Sequence, residues 1–256
     1  MPRWAPTGPA RGRVLLIHGL SSLAGTWWRI GPALAARGWD VTAVDQAGHG
    51  GRPVRGEVDA AGLAAAVLEV HPEAPDVLIG HSLGTVAAVG LLEREPGWAG
   101  TVILEEPPSR LAPELCLGMA ESITADAATV REDRAGLTER IRRDQPRWAD
   151  EDVYWSVEGI AEMDPVPFAR WLRALAEADN QVGTPQRILA AEPRPYVIAA
   201  TSERPLLDGG SALGRADRAE LTQGLPAGHV VELDGGHCLH RDAPAEWLAA
   251  VAAVLS

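Results

Sequence analysis

Val77-Leu78-Ile79-Gly80-His81-Ser82-Leu83-Gly84, continuing into Thr85-Val86-Ala87-Ala88-Val89-Gly90-Leu91-Leu92, is the stretch that decides the fold. The short apolar run before Gly80 reads as a buried strand, and the Ala/Leu-rich run after Ser82 reads as a helix. Between them lies Gly-x-Ser-x-Gly. A serine on so tight a strand-to-helix turn would clash with bulky neighbours, so glycine stands two positions away on either side. The turn lifts the serine Oγ above the carboxyl edge of a sheet. It also aims the first amides of the helix at the place where an oxyanion would form. The pentapeptide alone arises by chance in a chain with 27 glycines, but the strand before it and the helix after it supply the context the motif requires. Ser82 is the candidate nucleophile.

Outward from Ser82, short apolar runs alternate with longer helical ones. Val14–Ile17 reads as a strand running into His18-Gly19, and Thr26–Arg37 as a helix stopped by Gly38. Val41–Val44 is a strand that ends at Asp45 and a glycine-rich turn through Gly51. Val58–Val70 is helical, Asp76–Ile79 is a strand, and Leu83–Arg94 is a helix closed by Pro96-Gly97. Thr101–Leu104 is the next strand. This alternation predicts an α/β fold with a mostly parallel sheet flanked by helices. From Pro107 to about Pro185 no strand-like run appears, and the segment is polar and helical in pattern. So long an insertion in a compact domain is not a structureless loop. A helical cap over residues 107–185 is expected, on a core domain formed by 1–106 and 186–256. Strands resume at Tyr196–Thr201 and Val230–Leu233, and Ala243–Leu255 closes the chain as a helix.

The chain has 256 residues and a net charge of −12, with 46% hydrophobic and 23% charged residues. This is an ordinary balance for a soluble globular protein, and it carries no electrostatic footprint for nucleic acid or an anionic membrane. Every basic side chain is Arg, which reads as coding bias rather than chemistry. The two cysteines, Cys116 and Cys238, are neither a disulfide framework nor a metal cluster and fit a reducing compartment. With no signal-like apolar run at the N-terminus and no 18-residue apolar stretch, a cytoplasmic, unanchored protein is expected. Oligomeric state is not legible.

Taken in order, His18-Gly19, Asp45-Gln46-Ala47-Gly48-His49-Gly50, the serine turn and Gly236-His237 resemble the α/β-hydrolase family, in the form with a cap inserted after the strand that follows the nucleophile helix. The resemblance implies that the backbone N–H groups of Leu20 and Leu83 form an oxyanion hole. It also implies that His237, on a loop after the last strand, is the general base, which suits a group of near-neutral pKa at the same sheet edge as Ser82. His240 is the local alternative. His18 and His49 are read as orienting their loops, Asp242 as capping the closing helix, and Cys238 as packing below the loop. No metal and no organic cofactor is implied.

The triad acid is ambiguous. In most of the family it follows the penultimate strand, where this chain has Ala200-Thr201-Ser202-Glu203 in place of the usual Gly-x-x-Asp; Glu203 is possible and Asp208 lies late. A minority of relatives place it after the strand that follows the nucleophile helix, here Leu104-Glu105-Glu106-Pro107-Pro108. Adjacent strand-end residues point to opposite sides, so at most one of Glu105 and Glu106 faces His237. Glu106, preceding Pro107 as in an acid-Pro turn of lipase-like relatives, is preferred, with Glu105 and Glu203 kept as alternatives.

For substrate contacts, Trp28, Trp155 and Trp171 are the leading candidates, with Trp27, Trp148, Met163 and Phe168 also near the expected site. Each taken singly is as well explained by packing. An apolar, aromatic pocket suits a small hydrophobic ester or lactone. The same architecture also serves C–C bond hydrolases, hydroxynitrile lyases and haloperoxidases, or a non-catalytic ligand-binding module.

Overall fold

The computed structural model describes residues 1–177 and 185–256. Seven strands form one sheet: β1 (Arg3–Trp4), β2 (Gly12–Ile17), β3 (Trp39–Val44), β4 (Val77–His81), β5 (Thr101–Glu105), β6 (Tyr196–Ala200) and β7 (Val230–Leu233). Their order is β1-β3-β2-β4-β5-β6-β7. Only β1 runs antiparallel, against β3, and all other pairs are parallel. The Arg3–Trp4 strand has no apolar run to announce it. Arg3 instead grips Asp40 of β3 through Nε and Nη2, at 3.0 and 2.6 Å.

The middles of the central strands, Val14–Ile17, Val77–Ile79 and Val102–Leu104, are continuous apolar runs because both faces of the sheet are covered. Their alternate residues enter different cores. Leu15, Ile17 and Leu78 pack under α2 (Ala60–Val70) and α3 (Leu83–Arg94). Val14, Leu16, Val77 and Ile79 pack under α1 (Ile30–Ala35) and the closing helix α11 (Pro244–Val254), whose Trp247 is fully buried. Asp59 starts α2 by accepting from the Gly62 N–H at 2.7 Å, a side-chain cap on an otherwise orphaned donor. The predicted Thr26–Arg37 helix divides into a 3₁₀ turn (Ala24–Trp27) and α1, and Gly38 at φ +95° follows it.

Between β5 and β6 the chain is helical among the described residues: α4 (Pro113–Glu132), α5 (Arg134–Asp144), α6 (Asp150–Ala161), α7 (Pro165–Glu177) and α8 (Pro185–Ala190). Part of the expected cap, 178–184, lies outside the described residues. α9 (Arg215–Gly224) and the short α10 (Leu239–Asp242) complete the helices described. The chain leaves β2 for β3 on one side and crosses to β4 on the other, so the connections diverge at the carboxyl ends of β2 and β4. In open α/β sheets such a switch point leaves a crevice where ligands bind.

Candidate active site

β4 delivers His81 and then Ser82 to that crevice. Ser82 sits at φ +50°, ψ −117° and begins α3. A left-handed φ on a non-glycine residue is strained, and the surroundings impose it. The Ser82 N–H donates to Glu105 O at 3.0 Å, while its carbonyl accepts from Thr85 N at 2.8 Å and Thr85 Oγ1 at 2.6 Å. Both flanking glycines are required by packing. A Cβ on Gly80 would lie 2.6 Å from Gly84 O, and one on Gly84 would collide with Ile17 O.

Ser82 lines a cavity of about 230 Å³ that also includes Leu20, His81, His237 and Arg241. Leu20 and Leu83 present the two amides expected to face an oxyanion. Neither N–H donates to another group among the described residues. The Leu20 loop is fixed from below by two buried histidines. His18 Nε2 accepts from Gln46 N at 3.0 Å and its Nδ1 meets Gly19 O at 2.7 Å. His49 Nε2 accepts from Ser21 N at 3.2 Å, with Nδ1 against Ala47 O at 3.2 Å. Both rings therefore carry the proton on Nδ1 and stay neutral. Burial accordingly drives His18 down to about 4 and His49 to about 3.

The two adjacent glutamates at the end of β5 face opposite ways and find different histidines. Glu106 is fully buried, at φ +51°. Its Oε1 accepts from Ala200 N at 2.6 Å and its Oε2 from Ala212 N at 2.8 Å, while Ser211 Oγ donates to both oxygens at 3.0 and 2.9 Å. Oε2 also lies 3.3 Å from His237 Nδ1. Glu105 turns instead to His240, accepting from its N–H at 2.9 Å and meeting Nδ1 at 2.9 Å. Burial pushes Glu105 up and His240 well down. Neither residue lines the cavity that holds Ser82. Glu203 is removed from both histidines: it is more than half exposed and pairs with Arg215 on the surface.

His81 bridges the two systems. Its ring lies 4.9 Å from those of His237 and His240, and its Nε2 donates to His237 O at 2.9 Å. His81, Glu105 and His240 bring potential metal-ligand atoms within 4.8 Å of one another. His81 Nε2 and His240 Nδ1 are already engaged in these hydrogen bonds, so the trio reads as a buried hydrogen-bond network. No hydrogen bond joins Ser82 Oγ to His237 among the described residues; unliganded catalytic contacts are often loose.

The tryptophans divide differently from the expectation. Trp28, Trp155 and Trp171 do not line the Ser82 cavity. Trp28 Nε1 donates to the buried Asp152 at 2.8 Å. Trp155 lies over Gly25 and donates to Glu151 at 3.1 Å, and Trp171 packs against the main core. Met163 and Phe168 are core residues too. Trp148 does face the cavity, with Met119, Ile123, Ile160, Leu206 and Leu207 as apolar lining that the sequence reading missed. These come from helical faces and a 3₁₀ turn whose direction no local pattern shows. Asp242 does not cap α11. It accepts from Gly236 N at 2.6 Å and Trp148 Nε1 at 2.7 Å, bracing the His237 loop. Cys238 lines the cavity, and burial pushes its thiol up to about 12.

A parallel sheet switched at β2 and β4, with a strained serine at the switch point, is the architecture of the α/β hydrolases. Residues 14–251 match the family model described as the alpha/beta hydrolase family, and the chain belongs to it. It is 33% identical over 108 residues to the lipase LipV of Mycobacterium tuberculosis, covering 41% of this chain and 40% of that one. It is 35% identical over 91 residues to a pimeloyl-[acyl-carrier protein] methyl ester esterase of Methylococcus capsulatus, covering 36% and 35%. These matches therefore span well under half the length of either relative. Among solved structures, the enol-lactonase of Burkholderia xenovorans superposes with a TM-score of 0.71 at 19% identity, covering 99% of this chain and 95% of that one. A deformylase from Pseudomonas putida gives a TM-score of 0.71 at 19% identity, covering 98% and 94%. No helix among the described residues is long and apolar enough to cross a membrane.

Proposed function

We propose that this protein is a serine hydrolase that cleaves a small carboxylic ester or lactone through an acyl-enzyme. Ser82 Oγ attacks the carbonyl carbon as His237 Nε2 takes its proton. The carbonyl oxygen, now an anion, is held by the N–H groups of Leu20 and Leu83. Collapse of this intermediate breaks the C–O bond, and the alkoxide leaves with the proton from His237. Water then repeats the sequence on the acyl-serine, releasing the acid and restoring Ser82. Glu106 fixes the Nδ1–H tautomer of His237 and stabilises the imidazolium formed in each half-reaction. The helical insertion, residues 107–185, acts as the cap that bounds the substrate.

The observation that carries this reading is the buried Glu106 carboxylate 3.3 Å from Nδ1 of His237, whose ring lines the same cavity as the strained Ser82. The site's volume, about 230 Å³, is below the roughly 300–1,000 Å³ typical of drug-sized ligands, which favours short acyl groups. The similar proteins include a methyl ester esterase and an enol-lactonase, which supports the same bond type. Fluorophosphonate labelling combined with a panel of p-nitrophenyl esters tests it. Labelling abolished by Ser82→Ala, with turnover of short esters, is expected. An unreactive Ser82 and no ester turnover would leave only the ligand-binding alternative. Labelling without turnover of any ester would favour the lyase or C–C hydrolase chemistries.

A further inference from the structure

One charge in the Ser82 cavity has no counter-charge. Arg241 lines the cavity and is 4% exposed. Its Nε and Nη2 donate to Thr26 Oγ1 at 3.0 and 2.6 Å, and Nη2 reaches Ser22 Oγ at 3.3 Å. The guanidinium carbon lies 4.5 Å from the centroid of the Trp148 ring. All of these partners are neutral. Among the described residues Nη1 has no hydrogen-bond partner and no carboxylate lies within the 4.0 Å of an ion pair. The acids nearby are committed elsewhere. Asp126 pairs with Arg140, Glu106 faces His237, and Asp242 holds Gly236 and Trp148.

Buried charges are almost always paired, because an uncompensated one loses its hydration with nothing in return. Anchoring the loop to Thr26 and Ser22 needs only a donor, not a permanent cation. Arginine presents a planar fork that matches a carboxylate, and here Trp148 and Thr26 hold that plane in place before any ligand arrives. The rest of the wall mixes aliphatic groups, among them Leu20, Ile123, Ile160 and Leu206, with the neutral hydroxyls of Ser122 and Ser156. Among the described residues its one carboxylate, Asp126, is held by Arg140.

We propose that Arg241 receives a carboxylate carried by the substrate, so that the preferred ester or lactone is a short one bearing its own carboxylate, separated from the scissile carbonyl by an apolar spacer of a few carbons. The inference rests on the hydrolase reading of Ser82 for the identity of the scissile bond, but not for the anion site itself.

A matched pair of substrates tests it: the p-nitrophenyl half-ester of glutaric acid against p-nitrophenyl valerate, which replaces the distal carboxylate by a methyl group. A charge-assisted hydrogen bond contributes enough to expect a preference of about 10- to 100-fold in kcat/KM for the half-ester. The preference should reside in KM and fall towards one in Arg241→Met, with Arg241→Lys retaining part of it. Equal use of both esters by the wild type overturns the proposal whatever the variants do. Calorimetric titration of the Ser82→Ala protein with glutarate, and with neutral glutaramide as control, separates the two readings. Glutarate-selective binding that Arg241→Met abolishes, with neither ester hydrolysed by the wild type, would retain the anion site and refute the hydrolase. Turnover of both esters at equal rates, with no glutarate binding, would do the reverse.

Discussion

Replacing Glu106 by glutamine tests the assignment of the acid most sharply, because its neighbours make the substitution unfavourable in either orientation. Every partner of the carboxylate is a donor. Oε1 accepts from Ala200 N, Oε2 from Ala212 N, and Ser211 Oγ donates to both. A glutamine amide must turn its NH₂ group towards one of the two backbone N–H groups. One buried donor is then orphaned, at a cost of about 1–3 kcal/mol. For a chain of this size that lowers the unfolding midpoint by a few degrees to about 10 °C. The kinetic loss is larger. A carboxylate about 4 Å from a developing imidazolium contributes on the order of 4 kcal/mol at the effective dielectric of a protein site, or about 10³ in rate. If the amide instead places NH₂ against Nδ1, His237 takes the wrong tautomer, which adds to the loss. A drop in kcat/KM of about 10³–10⁴ on a short p-nitrophenyl ester is therefore expected, in a protein that still unfolds cooperatively. Glu203→Gln, on the surface, should change neither quantity. A Glu106→Gln enzyme within tenfold of wild type would refute the assignment.

Three further outcomes follow from the same geometry. The left-handed backbone of Ser82 predicts that Ser82→Gly is more stable than Ser82→Ala by about 1–3 kcal/mol, read as denaturation midpoints; equal midpoints would mean that the turn is unstrained. Glu105→Ala leaves the N–H and Nδ1 of buried His240 without their acceptor, and should cost about 2–5 kcal/mol of stability. Its kcat loss should be no larger than that instability explains, and a well-folded but inactive Glu105→Ala would return Glu105 to candidacy. His18 and His49 are held neutral, with values lowered from 6.5 to about 4 and about 3. Between those values and 6.5 the unfolded chain binds more protons than the native one, so stability rises with pH through that window. Unfolding free energy should fall by several kcal/mol between pH 6.5 and 4, and His18→Asn should flatten part of that slope; a flat profile would contradict the buried neutral rings.

The serine turn and most of the alternation of strands and helices were legible in the chain. Each depends on local periodicity and on glycine spacing, which neighbouring residues report directly. The two-residue strand β1 was not legible, since its evidence is an ion pair between Arg3 and Asp40, 37 positions apart. The tryptophans misled for a related reason. Composition shows that large aromatic groups exist in the insertion, but not whether a helix turns them to the cavity, as for Trp148, or into a packing contact over Gly25, as for Trp155.

The acid shows where sequence stopped and tertiary structure took over. That Glu105 and Glu106 must diverge follows from the alternation of side chains at a strand end, and the sequence alone determined it. Which of them meets His237, and that the other meets His240, depends on how a loop 131 residues further on settles over β5. The unpaired charge of Arg241 was likewise invisible in a chain with 23 basic side chains, because pairing is a property of the folded neighbourhood. Local rules made the elbow of Ser82, and long-range packing chose the partners that surround it.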